Sequence, residues 1–264
     1  MSPPLDGPHI EIRGLTKRWV TRDQTVPALE EISLSVAPHE FLTVLGPSGC
    51  GKSTLLSIIG GLVPADAGEV RIAGRPSTKP DPAHLAMVFQ DPGLFPWRTA
   101  LENVEFGLEL QGVPAVRRRE IARGLLEPVG LRGFEGRYPR ELSGGMKQRV
   151  AIARALALDS PILLMDEPFG ALDEQTRLLM GEWLLGIWAR TRKTVVFVTH
   201  SLQEAIMLSQ RIVVMTARPG RVKASFEVRL PEPRDLTGPE ATLLRAALWA
   251  EIRDESRRAL ESGL

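Results

Sequence analysis

Cysteine is almost missing from this sequence. Cys50 stands alone, so no disulfide can close within the chain, and a reducing compartment suits it. Long apolar runs are missing too: the longest stretch free of charged residues, Ser53 to Ala65, is 13 positions. A membrane span needs about 18–20 apolar residues. Neither sign of charge dominates, since 33 basic residues face 32 acidic ones. A net charge of +1 gives no global field to steer the chain onto nucleic acid or anionic lipid. The opening Met1-Ser2-Pro3-Pro4-Leu5-Asp6 has neither the basic start nor the apolar middle of a signal peptide. No Cys/His cluster has metal-ligand spacing, and there is no internal repeat or low-complexity tract. These absences lead to the expectation of a soluble, cytosolic chain. Its 264 residues, 43% apolar and 25% charged, fit one elaborated α/β domain.

What is present reads first as short strands broken by turns: His9–Arg13, Ile32–Val36, Phe41–Leu45, Glu69–Ile72 and Leu85–Phe89. From Ala100 to about Leu158 the period becomes helical, with Leu101, Val104 and Leu108, then Ile121 and Leu125, at helix spacing. Beyond Pro161 two continuous apolar runs, Ile162–Met165 and Val195–Val198, have the character of parallel strands covered on both faces. Between them Glu174–Arg190 reads as an amphipathic helix, and strand, helix, strand implies a parallel sheet. Arg211–Thr216 and Arg221–Leu230 read as two more strands joined by a turn at Ala217-Arg218-Pro219-Gly220. In the tail from Pro239, residues Leu243, Ala247, Leu248 and Ile252 are expected along one helical face. The organisation expected is a domain over 1–237, with its core about 9–90 and 160–230 and a helical insert about 91–159. An amphipathic C-terminal helix follows over 238–264.

Gly46-Pro47-Ser48-Gly49-Cys50-Gly51-Lys52-Ser53, followed by Thr54, fits G-x-x-x-x-G-K-[ST] between a strand and a helix. The glycines let backbone N–H groups curl around phosphate oxygens, and the helix that starts there adds the positive end of its dipole. Lys52 is expected at the β/γ-phosphates and Ser53 on magnesium. Two overlapping patterns fail: Gly49-x-Gly51 lacks the third glycine of a dinucleotide fingerprint, and Gly46-x-Ser48-x-Cys50 lacks the closing glycine of a nucleophile elbow. The loop reads as a nucleoside-triphosphate site.

Asp166 and Glu167 end the apolar run Ile162–Met165. Asp166 is expected to hold magnesium opposite Ser53, and Glu167 to accept a proton from the attacking water. Paired acids at a strand end also suit a helix cap or a solvated turn; the phosphate loop upstream is what favours the catalytic reading. His200 ends the next strand, where ligands meet open α/β sheets. His9, His39 and His84 have no partners in sequence and read as surface residues.

Leu142-Ser143-Gly144-Gly145-Met146 resembles the signature motif of ATP-binding-cassette (ABC) ATPases, and the other landmarks of that family stand in order. Gln90 resembles its Q-loop glutamine, Gly170-Ala171-Leu172-Asp173 its D-loop, His200 its switch histidine, and Trp19 the aromatic that stacks on adenine; Trp19 also suits a core position. The resemblance covers roughly residues 9–230. It implies a P-loop NTPase of ABC type, with a mostly parallel core sheet, an antiparallel β part and a helical subdomain insert. It implies ATP and Mg2+ as ligands, Ser53, Gln90 and Asp166 on the metal, and Glu167, His200 and Gln90 in hydrolysis. Ser143, Gly144 and Gly145 are implied to bind the γ-phosphate held by a second copy, in a head-to-tail pair around two ATPs. Three positions depart from the common pattern: Met146 stands for glutamine, Ser201 for aspartate and Trp19 for tyrosine.

Phe95-Pro96-Trp97-Arg98-Thr99-Ala100-Leu101-Glu102-Asn103-Val104 resembles the stretch found in importer ATPases for nitrate, sulfonate and taurine. The implied partners are a transmembrane permease subunit and a periplasmic or lipid-anchored solute-binding protein, with no nucleic acid. The implied location is the cytoplasmic face of the inner membrane. Phe95 and Trp97 suit the rim of a permease socket or, equally, packing under the helical insert. The alternatives are the ATPase of a two-component exporter, or a soluble ABC ATPase acting on nucleic acid or ribosomes.

Overall fold

The computed structural model describes residues 9–20, 24–231 and 234–261; the opening Met1–Asp6 segment lies outside them. In chain order the strands and helices begin with β1 (Ile10–Val20), β2 (Thr25–Val36), β3 (Phe41–Leu45), α1 (Lys52–Ile59), β4 (Ala67–Ile72) and β5 (Arg75–Pro76). Next come β6 (Leu85–Val88), α2 (Ala100–Leu110), α3 (Ala115–Leu126), α4 (Gly144–Ala157), β7 (Ile162–Asp166) and α5 (Glu174–Thr191). The chain finishes with β8 (Thr194–Thr199), α6 (Leu202–Leu208), β9 (Arg211–Met215), β10 (Val222–Glu227) and α7 (Pro239–Glu261). These elements fall into two compact units, one of residues 1–81 and 193–264, the other Pro82–Arg192.

The first unit holds an antiparallel sheet in the order β2-β1-β4-β5 and a largely parallel run β10-β9-β3-β8. In that run β3 pairs in parallel with both β8 and β9, and only β10 is antiparallel. Every residue of β3 and β8 is buried, as two-sided burial of a parallel sheet requires. Leu45, Ile212 and Val214 from the strands pack with Ala205 and Ile206 of α6 and with Ala241, Leu248 and Ile252 of α7. The expected face of α7 needs correction. Leu248 and Ile252 are buried, but Leu243 is 71% exposed and Ala247 is exposed too. Ala241, Glu255 and Ala259 complete the buried stripe, because docking selects a 241-248-252-255-259 line.

His9 also differs from its surface reading. It is buried, and its Nδ1 hydrogen-bonds to Thr194 Oγ1 at 2.7 Å, a partner 185 residues away. His39 and His84 are exposed.

In the second unit β6 and β7 pair in parallel, Val88 facing Met165, and α2, α3 and α4 form the helical part. Phe89 lies past the end of β6 and is 43% exposed. The start of α2 is fixed by a capping box: Glu102 N–H donates to Thr99 Oγ1, and Thr99 N–H donates to Glu102 Oε2.

Candidate functional site

In the first unit the loop after β3 is shaped by glycines whose conformation or close neighbours disfavour a side chain. Gly51 has φ of 101° at the entrance to α1 and offers no side-chain oxygen to the first helical N–H groups. A Cβ there would stand 2.7 Å from the Ala28 carbonyl oxygen on β2. Gly46 is enclosed as well, since a Cβ would stand 2.9 Å from Cys50 Sγ. Lys52 is 4% exposed, and its Nζ donates to the carbonyls of Gly46 at 2.9 Å and Pro47 at 2.8 Å. The cation therefore lies across the loop opening, next to the N-terminus of α1, an arrangement suited to an anion. Ser48, Gly49 and Ser53 are exposed, while Pro47 and Cys50 are buried and Thr54 is half-buried.

His200 follows β8, and Leu45 faces Thr199 across the β3–β8 pair. The phosphate loop and His200 thus leave neighbouring parallel strands at the same, carboxyl, end, where α/β sheets bind ligands. Ser201 caps α6 by accepting the Glu204 N–H at 3.3 Å, work that an aspartate at this position would do equally. Trp19, on β1 opposite Val26, is 43% exposed with Lys17 Nζ 5.2 Å from its ring centre. A core role for it is thereby excluded.

In the second unit Asp166 is the last residue of β7 and is 5% exposed. Glu167 follows with φ of 44°, left-handed and uncommon for a residue with a side chain. Gln90, exposed two residues past β6, leaves the β6–β7 pair at the same end. Ser143 is the N-cap of α4, accepting the Met146 N–H at 3.3 Å, so Met146 contributes its backbone whatever its side chain. Gly144 has open space where a Cβ would be; at Gly145 a Cβ would stand 3.0 Å from Leu172 Cδ2, which packs the signature against the 170–173 loop. Asp173 closes that loop by capping α5: it accepts from the Thr176 N–H at 2.9 Å and from its hydroxyl at 2.7 Å. These bonds hold its carboxyl below the usual range. Among the described residues, no group of three or more His, Cys, Asp or Glu could hold a metal.

A phosphate loop, paired acids and a capped Gly-Gly helix start on one chain agree with the family model for ABC transporters, which matches residues 29–170. The chain belongs to that family. The taurine import ATP-binding protein of Rhizobium johnstonii is 46% identical over 90% of this chain and 91% of its own length. The nitrate import ATP-binding protein of Synechocystis is 47% identical over 84% of each, and the aliphatic sulfonates import ATP-binding protein of Bacillus cereus 47% over 96% of each. A solved dimeric, post-hydrolysis ATP-binding cassette, MJ0796 with ADP and Pi, superposes with a TM-score of 0.76 at 35% identity. The overlay covers 83% of this chain and 99% of that one. The fold is the P-loop ABC fold, and the chain is an ABC ATPase.

Several residues that position the cassette's loops escaped the sequence reading. Gln148, buried on α4, donates from Nε2 to the Phe89 carbonyl at 3.2 Å, next to Gln90. Asn103, fully buried, accepts from the Phe95 N–H at 2.8 Å, and its Nδ2 donates to the carbonyls of Phe95, Arg98 and Thr99. Arg154 donates to Pro92 and Gly93 carbonyls at 2.7 and 2.8 Å, and burial lowers its pKa. For Gln148 and Asn103 the signal is a polar side chain on the buried stripe of a helix. Phe95 is half-buried with its ring 4.4 Å from that of Phe106, as packing under the helical insert requires, while Trp97 is 71% exposed.

Proposed function

We propose that this chain is the ATP-hydrolysing subunit of a membrane importer for a small anion of the nitrate, sulfonate or taurine class. Two copies pair head to tail around two ATPs. Lys52 holds the β/γ-phosphates, Trp19 stacks on adenine, and Ser143, Gly144 and Gly145 take the γ-phosphate bound by the other copy. Glu167 accepts the proton of the attacking water, with Gln90 and His200 orienting the reacting groups. The observation that carries the reading is the glycine-shaped loop closed by Lys52, in a chain whose relatives are named for import of these anions.

Ser53, Gln90 and Asp166 would hold Mg2+. The fit is good: all three offer oxygen, and a single carboxylate leaves room for the water and phosphate ligands that magnesium prefers to keep. When bound, the ion neutralises charge on the phosphates. The partners proposed are a transmembrane permease subunit, which this chain joins at the cytoplasmic face of the inner membrane, and a separate periplasmic or lipid-anchored solute-binding protein. No helix among the described residues is long and apolar enough to cross a membrane itself. The contact surface proposed for the permease is a groove of about 620 Å3 in the helical unit, lined by Trp97, Glu105 and Arg118 among others.

Two variants test the assignment of roles. Glu167→Gln keeps size but cannot accept a proton at neutral pH, so turnover should drop about 10²–10⁴-fold while the ATP-loaded pair accumulates. Asp166→Asn should impair hydrolysis without trapping a pair. Single-turnover hydrolysis and ATP-dependent sedimentation distinguish them; near-normal hydrolysis by Glu167→Gln would remove the base assignment.

A further inference from the structure

The turn 216–221, between β9 and β10, lies against the back of the phosphate loop. Gly220 is stitched to β2: its N–H donates to the Ala28 carbonyl at 2.9 Å, and its carbonyl accepts from the Glu30 N–H at 3.0 Å. A Cβ on Gly220 would collide with the Cys50 carbonyl oxygen and stand 2.6 Å from Met215 Cε. On the exposed side of the turn, Arg218 Nε donates to the Gly49 carbonyl at 3.3 Å. One residue earlier, the Ala217 N–H donates to Glu255 Oε2 of α7 at 2.9 Å. Glu255 is 2% exposed and is also paired with Lys223 Nζ of β10 at 2.9 Å. A continuous set of contacts therefore runs from the C-terminal helix to the phosphate loop, all within one compact unit.

We propose that Arg218 is a positioning residue for the phosphate loop, and that α7, acting through Glu255 and the 216–221 turn, sets the loop's affinity for nucleotide. The Gly49 carbonyl and the Cys50 N–H belong to one planar peptide and point in opposite directions. Fixing the carbonyl toward Arg218 fixes the N–H toward the loop interior, where it meets the Pro47 carbonyl at 3.4 Å. Gly49, at φ of 75°, leaves that peptide free to take other orientations, and the long 3.4 Å bond within the loop holds it only weakly, so a contact from outside adds to the selection. Lys52 already engages the Gly46 and Pro47 carbonyls. Arg218 adds the Gly49 carbonyl to that set. Glu255 acts on the backbone of the adjoining residue, so a shift of α7 carries the guanidinium with it.

The inference rests on the assignment of residues 46–54 to ATP, so Lys52→Ala is measured beside the new variants. In the full chain, binding of a fluorescent, non-hydrolysable ATP analogue, ATPase KM and kcat, and thermal unfolding are compared. Arg218→Ala is expected to raise Kd and KM about three- to tenfold, with kcat within about twofold and the unfolding midpoint unmoved. Arg218→Lys, whose ammonium can reach the same carbonyl, should recover most of the loss. Glu255→Ala should raise KM in the same direction. Should that variant not fold, Glu255→Gln, which keeps an acceptor for Ala217 but drops the ion pair, should give a smaller rise. Unchanged Kd in Arg218→Ala, with binding lost in Lys52→Ala, would overturn the positioning role alone. A fall in kcat that merely tracks a lowered unfolding midpoint would overturn it too. Normal binding by Lys52→Ala would overturn the loop assignment and this inference together.

Discussion

Gly51 sits so close to Ala28 that a Cβ on it would stand 2.7 Å from the Ala28 carbonyl oxygen. Its φ of 101° is also closed to residues with side chains. The strand behind the loop thus dictates the residue in front of it. Gly51→Ala should cost about 1–3 kcal/mol of stability and disrupt nucleotide binding. Urea unfolding and ATP titration measure the two effects, and a variant normal in both would mean that β2 yields easily.

Lys52→Ala removes the cation that bridges the Gly46 and Pro47 carbonyls. Hydrolysis should fall to background and ATP affinity should weaken, because the positive charge proposed to face the β/γ-phosphates is gone. Phosphate release and nucleotide binding on the purified chain check both; turnover like that of the parent would place the active site elsewhere.

Ser143 caps α4, and two substitutions separate that task from the proposed contact with the other copy's γ-phosphate. Ser143→Asp keeps a good cap but sets a negative charge where the phosphate would arrive. Ser143→Arg fills the place with bulk. Both should bind ATP as monomers and fail to pair. Sedimentation with and without ATP measures this, and unimpaired pairing by both would sink the head-to-tail arrangement.

Acid should loosen α7. Burial alone would push the Glu255 carboxyl up, but the Ala217 N–H, the Lys223 ammonium and the Arg258 charge outweigh it and hold the carboxyl below its usual value. A depressed carboxyl adds stability in full above the ordinary glutamate pKa of about 4.3, and loses it as pH falls through the folded value. Amide protection of residues 241–259, taken relative to the intrinsic exchange rate at each pH, should therefore fall below about pH 4, and Glu255→Gln should flatten that dependence. Protection in α7 that ignores pH in the parent chain would contradict the assignment.

Features written into consecutive residues were legible in the sequence. The run from Phe41 to Ile59 fixes strand, loop and helix by local chemistry, and the Ser143 cap and the ends of β7 and β8 follow from short patterns. What escaped depends on partners distant in the chain. His9 is buried because Thr194 meets it, and Arg218 matters because Gly49 lies within its reach. The face of α7 was misread for the same reason. Its 23 residues carry apolar side chains on more than one side, Leu243, Trp249 and Leu260 being exposed, and only docking against α6 and β9 selects the stripe. Asn103 stands in the sequence only as one member of the Phe95–Val104 stretch, and its role shows once the carbonyls it gathers from the preceding loop are seen.

The two neighbours of β3 have a consequence for how the protein is made. β3 leaves the ribosome well before β8 and β9, yet those two strands complete both its hydrogen-bonding edges. Until Thr194–Met215 has emerged, an apolar strand with two open edges must wait, in the kind of exposure that favours wrong pairing. A chain cut short before Thr194 carries every residue of the phosphate-loop pattern and neither of the strands that flank β3. Such a fragment should accumulate as aggregate rather than as a small nucleotide-binding domain.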